Sequence, residues 1–194
     1  MVCSYLPVRF ACLLAALGAV AVSGCGRRDA PDTPERPHVP GKADVGFVPT
    51  PDHIIARMLE MAEVRPGDVV YDLGCGDGRI VIAAAKTYGV KAVGIEIDAA
   101  LAEEARRNAE AAGVAHLVTI KRGDIFAEDI GEATVVTLYL MSDVNLQLKP
   151  KLAKLREGSR IVSHSFDMRG ARPEKVETVA GKKVYLWRVP WKSD

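Results

Sequence analysis

Apolar positions along residues 46–194 follow two rhythms that alternate. Ile54, Ile55, Met58, Leu59 and Ala62 recur at the three-and-four spacing of one helix face. Thr50 is placed to cap that helix, and Pro51 suits its first position, where a missing N–H costs nothing. Pro66-Gly67 breaks the pattern, and residues 68–73 read as a buried strand. A glycine-rich turn leads to an apolar helix over 79–87 and then to a strand over 91–96. Asp98 should cap a further helix ending near Gly113, in which Glu103 and Arg107 form an i,i+4 pair. Strands over 116–121, 134–140 and 160–164 follow, with a helix over 144–156 before the last. Strands alternating with helices predict an α/β fold: a mostly parallel sheet with helices on both faces. The end of the chain departs from this rhythm. Residues 176–179 and 184–189 flank Ala180-Gly181, which predicts a closing antiparallel hairpin.

Upstream of the domain, residues 10–22 are continuously apolar and preceded by Arg9. That run is shorter than the roughly 20 residues a bilayer-spanning helix needs, so it suits a signal-peptide core. It ends in Val22-Ser23-Gly24-Cys25, which resembles a bacterial lipoprotein processing site with Cys25 as the lipidated residue. The expected organisation is a signal peptide over 1–24, a tether over 25–45 and a folded domain over 46–194. Pro31, Pro34, Pro37 and Pro40 make the tether extended and solvated. A membrane-associated envelope lipoprotein follows from this organisation. An uncleaved anchor is an alternative, as is a start assigned too early ahead of a cytoplasmic protein.

Composition narrows the classes. The 194 residues carry 26 basic and 25 acidic side chains, and 48% are hydrophobic. Such a chain can bury a core, which excludes wholesale disorder, a collagen-like repeat and a polytopic membrane protein. A net charge of +1 argues against a dedicated nucleic-acid binder. The charge is uneven, with 9 basic against 16 acidic residues over 46–148 and 12 against 5 over 149–194. The basic end is a solvated face or a seat for an acidic partner or anionic lipid. Only Cys75 lies in the domain, since Cys3, Cys12 and Cys25 precede it, so no internal disulfide is expected. His38, His53, His116 and His164 are scattered without zinc-site spacing, and no metal is expected.

The sharpest chemical signal is Asp72-Leu73-Gly74-Cys75-Gly76-Asp77-Gly78, between a strand and a helix. Glycines there allow a tight turn and close approach of a ligand to backbone N–H groups. The dinucleotide fingerprint needs Gly or Ala where this chain has Arg79, so a nicotinamide dinucleotide is disfavoured. No Lys-Ser/Thr pair makes a phosphate-binding P-loop. Instead Asp72, Glu96 and Asp124 stand at three successive strand ends, where a parallel sheet converges on one crevice. Carboxylates so placed suit an adenosyl ligand without phosphates: Glu96 for ribose hydroxyls, Asp124 for an exocyclic amine and Asp72 for a cationic group.

On these residues the chain resembles the class I S-adenosylmethionine-dependent methyltransferases over residues 46–194. The resemblance implies a Rossmann-like sheet with a C-terminal antiparallel hairpin, the helix before that hairpin being shortened to residues 167–175. It implies S-adenosylmethionine as cofactor, with the glycine turn receiving the methionine part, Glu96 the ribose and Asp124 the adenine amine, and with Ile125 packing on the base. The expected cofactor-binding set is Asp72, Gly74, Cys75, Gly76, Gly78, Glu96, Ile97, Asp124, Ile125, Pro49 and Thr50. Within the superfamily, Phe47-Val48-Pro49-Thr50-Pro51 and Thr137-Leu138-Tyr139-Leu140 are similar to the small lysine methyltransferases related to the ATP synthase c-subunit lysine methyltransferase. The Asn-or-Asp, Pro, Pro, aromatic motif of many base and glutamine methyltransferases is absent. A protein lysine is therefore the expected acceptor. A small-molecule methyltransferase and a non-catalytic binding module are the alternatives.

Methyl transfer from a sulfonium needs alignment and dryness rather than a covalent intermediate. A lysine acceptor must lose a proton, which makes Tyr139, Asp143, His164 and Asp167 the catalytic candidates near the fourth and fifth strand ends. Each also has a structural reading: Tyr139 as core, Asp143 as a helix cap, His164 as a strand-end residue and Asp167 as a turn residue. Cys75 reads as a small packing residue rather than a reactive thiol.

Overall fold

A computed structural model describes residues 47–193. The expected signal peptide, the tether and Cys25 lie outside the described residues. Among the described residues, seven strands form one sheet: β1 (Val69–Leu73), β2 (Lys91–Glu96), β3 (Val118–Arg122), β4 (Val135–Leu138), β5 (Arg160–His164), β6 (Lys175–Val179) and β7 (Lys182–Arg188). Their order is β3-β2-β1-β4-β5-β7-β6. The first five run parallel, and β7 pairs antiparallel with β5 and with β6, as the hairpin pattern predicts.

Four helices among the described residues cover the sheet: α1 (Asp52–Met61), α2 (Arg79–Tyr88), α3 (Ala99–Ala111) and α4 (Ser142–Leu152). Strand alternation sorts the core between them. Val70, Ala92, Val118, Val135, Val162 and Val184 meet α1, α2 and α3, while Tyr71, Leu73, Ile95, Val136, Leu138 and Trp187 meet α4. Because β1 and β4 lie in the middle of the sheet, their carboxyl ends open between the two helical layers.

Local chemistry sets several boundaries. Asp98 caps α3 by accepting from the N–H groups of Ala100 and Leu101 at 2.8 and 3.0 Å. Thr50 does not cap α1: Pro51 holds the N-cap position with extended backbone, no side chain caps it, and Thr50 is buried. Helix α4 ends at Leu152 rather than at residue 156, two residues after Pro150, which supplies no amide donor to the last turn. Residues 167–175 do not form the shortened helix that the resemblance implies. They run as turns, with Arg172 bridged to Lys192 and the carbonyls of Arg169 and Gly170 held by Lys149.

At the amino ends of the strands lies a buried ion pair between Asp68 and Arg160, 8% and 4% exposed. Asp68 also accepts from the Thr134 hydroxyl at 2.6 Å and from the Arg65 N–H at 2.9 Å. Burial alone would raise its pKa, but these donors and the guanidinium together hold it below the ordinary carboxylate value. Among the described residues no helix is long and apolar enough to cross a membrane.

Candidate active site

The glycine turn is built from both sides. The N–H groups of Gly74 and Cys75 donate to the Ile95 carbonyl, and the N–H of Gly76 donates to Glu96 Oε2 at 2.8 Å. Gly76 has φ 54°, and a Cβ on it would fall 2.1 Å from the ring of Phe47, which roofs the turn. Gly78, at φ 80°, starts α2, and a Cβ there would press on Ala105 of α3. Its role in the fold is therefore close helix packing.

A cavity of about 250 Å³ opens beside this turn. It is lined by Asp72, Gly74, Cys75, Glu96, Ile97, Asp124 and Ile125 of the expected set, by Thr50 from the segment before α1, and by Tyr139. Asp72, Glu96 and Asp124 thus meet in one pocket, as their places at strand ends require. Gly76, Gly78 and Pro49 are not on its wall. Among the described residues there is no group of His, Cys, Asp and Glu able to hold a metal ion.

The acids differ in their surroundings. Asp72 is 2% exposed and accepts from the Thr137 hydroxyl at 2.7 Å. Burial raises its pKa to about 7, against that hydrogen bond and helped by the charges of Glu96 and Asp77. Glu96 divides its oxygens between two loops, since Oε1 accepts from the Asp98 N–H at 2.9 Å and Oε2 holds Gly76. Asp124 Oδ1 accepts from the Phe126 N–H at 2.9 Å, which orients the carboxylate. Cys75 is buried, and burial pushes its thiol well above the ordinary range, so it stays protonated.

Of the catalytic candidates, Tyr139 alone reaches the pocket, half-buried just past the end of β4. His164 is fully buried, its ring centroid 4.0 Å from that of Tyr139. Asp143 is exposed and pairs with Arg169 at 3.1 Å. Asp167, also exposed, accepts from the Ser142 hydroxyl at 2.6 Å. Both acids sit beside the N-terminal turn of α4 and outside the pocket wall.

Among the described residues, His164 has no partner at either ring nitrogen. Burial lowers its pKa to about 4, with Lys182 and His53 acting in the same direction, so the ring is neutral at physiological pH. Between about pH 6.5 and 4 the unfolded chain binds a proton that the folded chain refuses, so stability falls as pH drops through that window. His164→Phe keeps the ring contact and removes two unpartnered polar atoms. It is expected to raise stability by about 1–2 kcal/mol near neutral pH and to flatten the acid limb of a Tm-against-pH curve. A Tm equal to or below that of the parent would contradict this.

Several wall residues escaped the sequence reading. Phe47 and Val48 close the mouth, and Arg79 ties the segment to the turn by donating to the Thr50 carbonyl at 3.1 Å while paired with Asp77 at 2.6 Å. Ile80, Leu101, Phe126, Leu140, Met141 and Val144 supply apolar wall, and Asp98 a further acid. Ile80, Leu101 and Val144 fall at helical spacing, where pocket wall and core look alike in a sequence. Phe47, adjoining Pro49 in a segment already singled out, carried the best available signal.

A seven-stranded sheet of this order, a glycine turn at the first strand end and acids at the next two define a class I S-adenosylmethionine-dependent methyltransferase. The same architecture appears in the crystal structure of an RNA methyltransferase from Salinibacter ruber in complex with S-adenosyl-L-homocysteine. That protein is 53% identical, covering 74% of this chain and 94% of that one with a TM-score of 0.73. The chain belongs to the ANTKMT methyltransferase domain family, whose pattern matches residues 72–175. It is 52% identical over 157 residues to a protein-lysine N-methyltransferase of Saccharolobus islandicus, across 78% of this chain and 94% of that protein. It is also 32% identical over 136 residues to the ATP synthase c-subunit lysine N-methyltransferase of Homo sapiens, across 70% of this chain and 58% of that one.

Proposed function

We propose that this methyltransferase acts on the side-chain nitrogen of a lysine in a protein. The observation that carries the reading is the 52% identity to the protein-lysine N-methyltransferase of Saccharolobus islandicus along 94% of that protein. The sequence at the end of β4 supports it, since Leu138-Tyr139-Leu140-Met141 stands in place of the base-methylating motif.

When bound, S-adenosylmethionine supplies a methyl on a sulfonium: the acceptor nitrogen's lone pair forms the N–C bond as the C–S pair returns to sulfur. The chain's residues bind, orient and exclude water. In this assignment Glu96 accepts from the ribose hydroxyls, Asp124 accepts from the adenine amine and Ile125 packs on the base. The turn at Gly74 and Cys75 receives the methionine part, and Asp72 faces its cationic end. Tyr139, backed by the neutral ring of His164, walls the acceptor side without adding positive charge that would oppose an incoming ammonium.

Asp72 gives this assignment a pH signature. Its carboxyl is half protonated near pH 7 in the free protein, whereas a cationic ligand favours the carboxylate. Binding of S-adenosylmethionine is expected to release up to one proton below that pH and to weaken by as much as about tenfold per pH unit from about pH 7 to about pH 5. Titration calorimetry in buffers of different ionisation enthalpy measures both. Affinity that stays flat over this range, with no proton released, would contradict it.

The acceptor is tested with S-adenosylmethionine carrying a tritiated methyl group, supplied with lysine-containing proteins and, separately, with total RNA. Label recovered as methyl-lysine after acid hydrolysis is the expected result. Label in RNA alone would overturn the lysine reading and leave the methyltransferase class intact.

A further inference from the structure

Helix α4 carries two lysines in its last turn that reach different loops. Lys149 Nζ donates to the carbonyls of Arg169 and Gly170, past β5. Lys151 Nζ donates to the carbonyls of Ile125 and Phe126 at 2.7 and 3.0 Å, in the loop that follows β3. Asp124, Ile125 and Phe126 all line the cofactor cavity. One side of this loop is therefore pocket wall, and its carbonyls are held by an ammonium from the last turn of α4.

The loop turns on Asp124: its carbonyl accepts from the N–H groups of Ala127 and Glu128, and its carboxylate accepts from that of Phe126. Lys151 is half-buried, with Asp124, Asp129 and Glu128 near enough to attract its charge. An ammonium partly removed from water needs acceptors, and two backbone carbonyls fix its direction better than one mobile carboxylate. Recognition of a base edge by hydrogen bonds depends on donors and acceptors held to within about 0.5 Å.

We propose that Lys151 is a positioning residue for the purine end of the cofactor. Bonded to the Ile125 and Phe126 carbonyls, it holds the loop in the shape in which Asp124 and the adjoining backbone read the base edge. The inference rests on the assignment of Asp124 to the adenine amine. A lysine that merely stabilised the fold would leave the choice of base unchanged, and the experiment turns on that difference.

The full chain and its Lys151→Met, Lys151→Gln and Lys151→Arg variants are titrated with S-adenosylhomocysteine and with S-inosylhomocysteine, in which an oxygen replaces the amine of the base. The parent protein is expected to prefer the adenosyl ligand. Lys151→Met should bind it roughly tenfold more weakly and lose most of the preference. Lys151→Gln, which keeps one shorter donor, should fall between, and Lys151→Arg should retain the preference. A thermal melt accompanies each titration. A lower Tm with the preference unchanged overturns the positioning role, as does adenosyl affinity in Lys151→Met within twofold of the parent. A parent protein that does not distinguish the two ligands overturns the Asp124 assignment itself, and the role of Lys151 with it.

Discussion

Glu96→Ala is expected to weaken binding of S-adenosylmethionine by at least about 100-fold. Two causes combine. The substitution removes the acceptor assigned to the ribose, and it releases the N–H groups of Gly76 and Asp98, which the same carboxylate holds at 2.8 and 2.9 Å. Hydrogen bonds to a charged group contribute about 1.5–3 kcal/mol each, so losing a ligand contact together with the order of two loops exceeds the roughly 2.7 kcal/mol that 100-fold requires. Glu96→Gln keeps the volume but sets an amide NH2 against one of two N–H donors, so it should rescue little. Titration with S-adenosylhomocysteine measures the effect, and a melt of the unliganded protein separates loss of the site from loss of the fold. Binding within about fivefold of the parent would remove Glu96 from the ribose.

The second large effect lies at the other end of the sheet. Asp68→Ala strands the Arg160 guanidinium, which is 4% exposed, along with the Thr134 hydroxyl and the Arg65 N–H. Removing one partner of a buried ion pair leaves an uncompensated charge, which costs about 3–5 kcal/mol. In urea the unfolding midpoint should fall while the slope stays constant. Asp68→Ala with Arg160→Leu should be more stable than Asp68→Ala alone, because the orphaned charge is gone. A single variant within about 1 kcal/mol of the parent would contradict the account. The carboxylate is held below its ordinary pKa, so its contribution is present above about pH 4 and lost as pH falls through the folded value.

These cases show what a reader of the chain can and cannot see. Strand β2 is predicted to the residue because Ala92–Ile95 are β-branched or small and the run is bounded by a glycine turn and a cap. Asp72, Glu96 and Asp124 are legible because a parallel sheet carries successive strand ends to one crevice. The Asp68–Arg160 pair was not legible, being 92 residues apart with further partners at Arg65 and Thr134 in the connecting segments. Lys151 was equally hidden: a lysine in the last turn of a helix reads as ordinary dipole matching until the loop beneath it is in view. Asp143 and His164 show the reverse limit. Both stand in the right segments, yet helix phase turns one to solvent, and β5, buried along its whole length, takes the other into the core.

The ring of Phe47 over Gly76 has a practical corollary. One aromatic ring ahead of α1 covers the cofactor turn, so a label or a proteolytic cut at Phe47 acts on the ligand site itself. The same label at Trp191 acts on a residue that does not line it. Reporter and capture chemistry for this enzyme should therefore be kept away from Phe47.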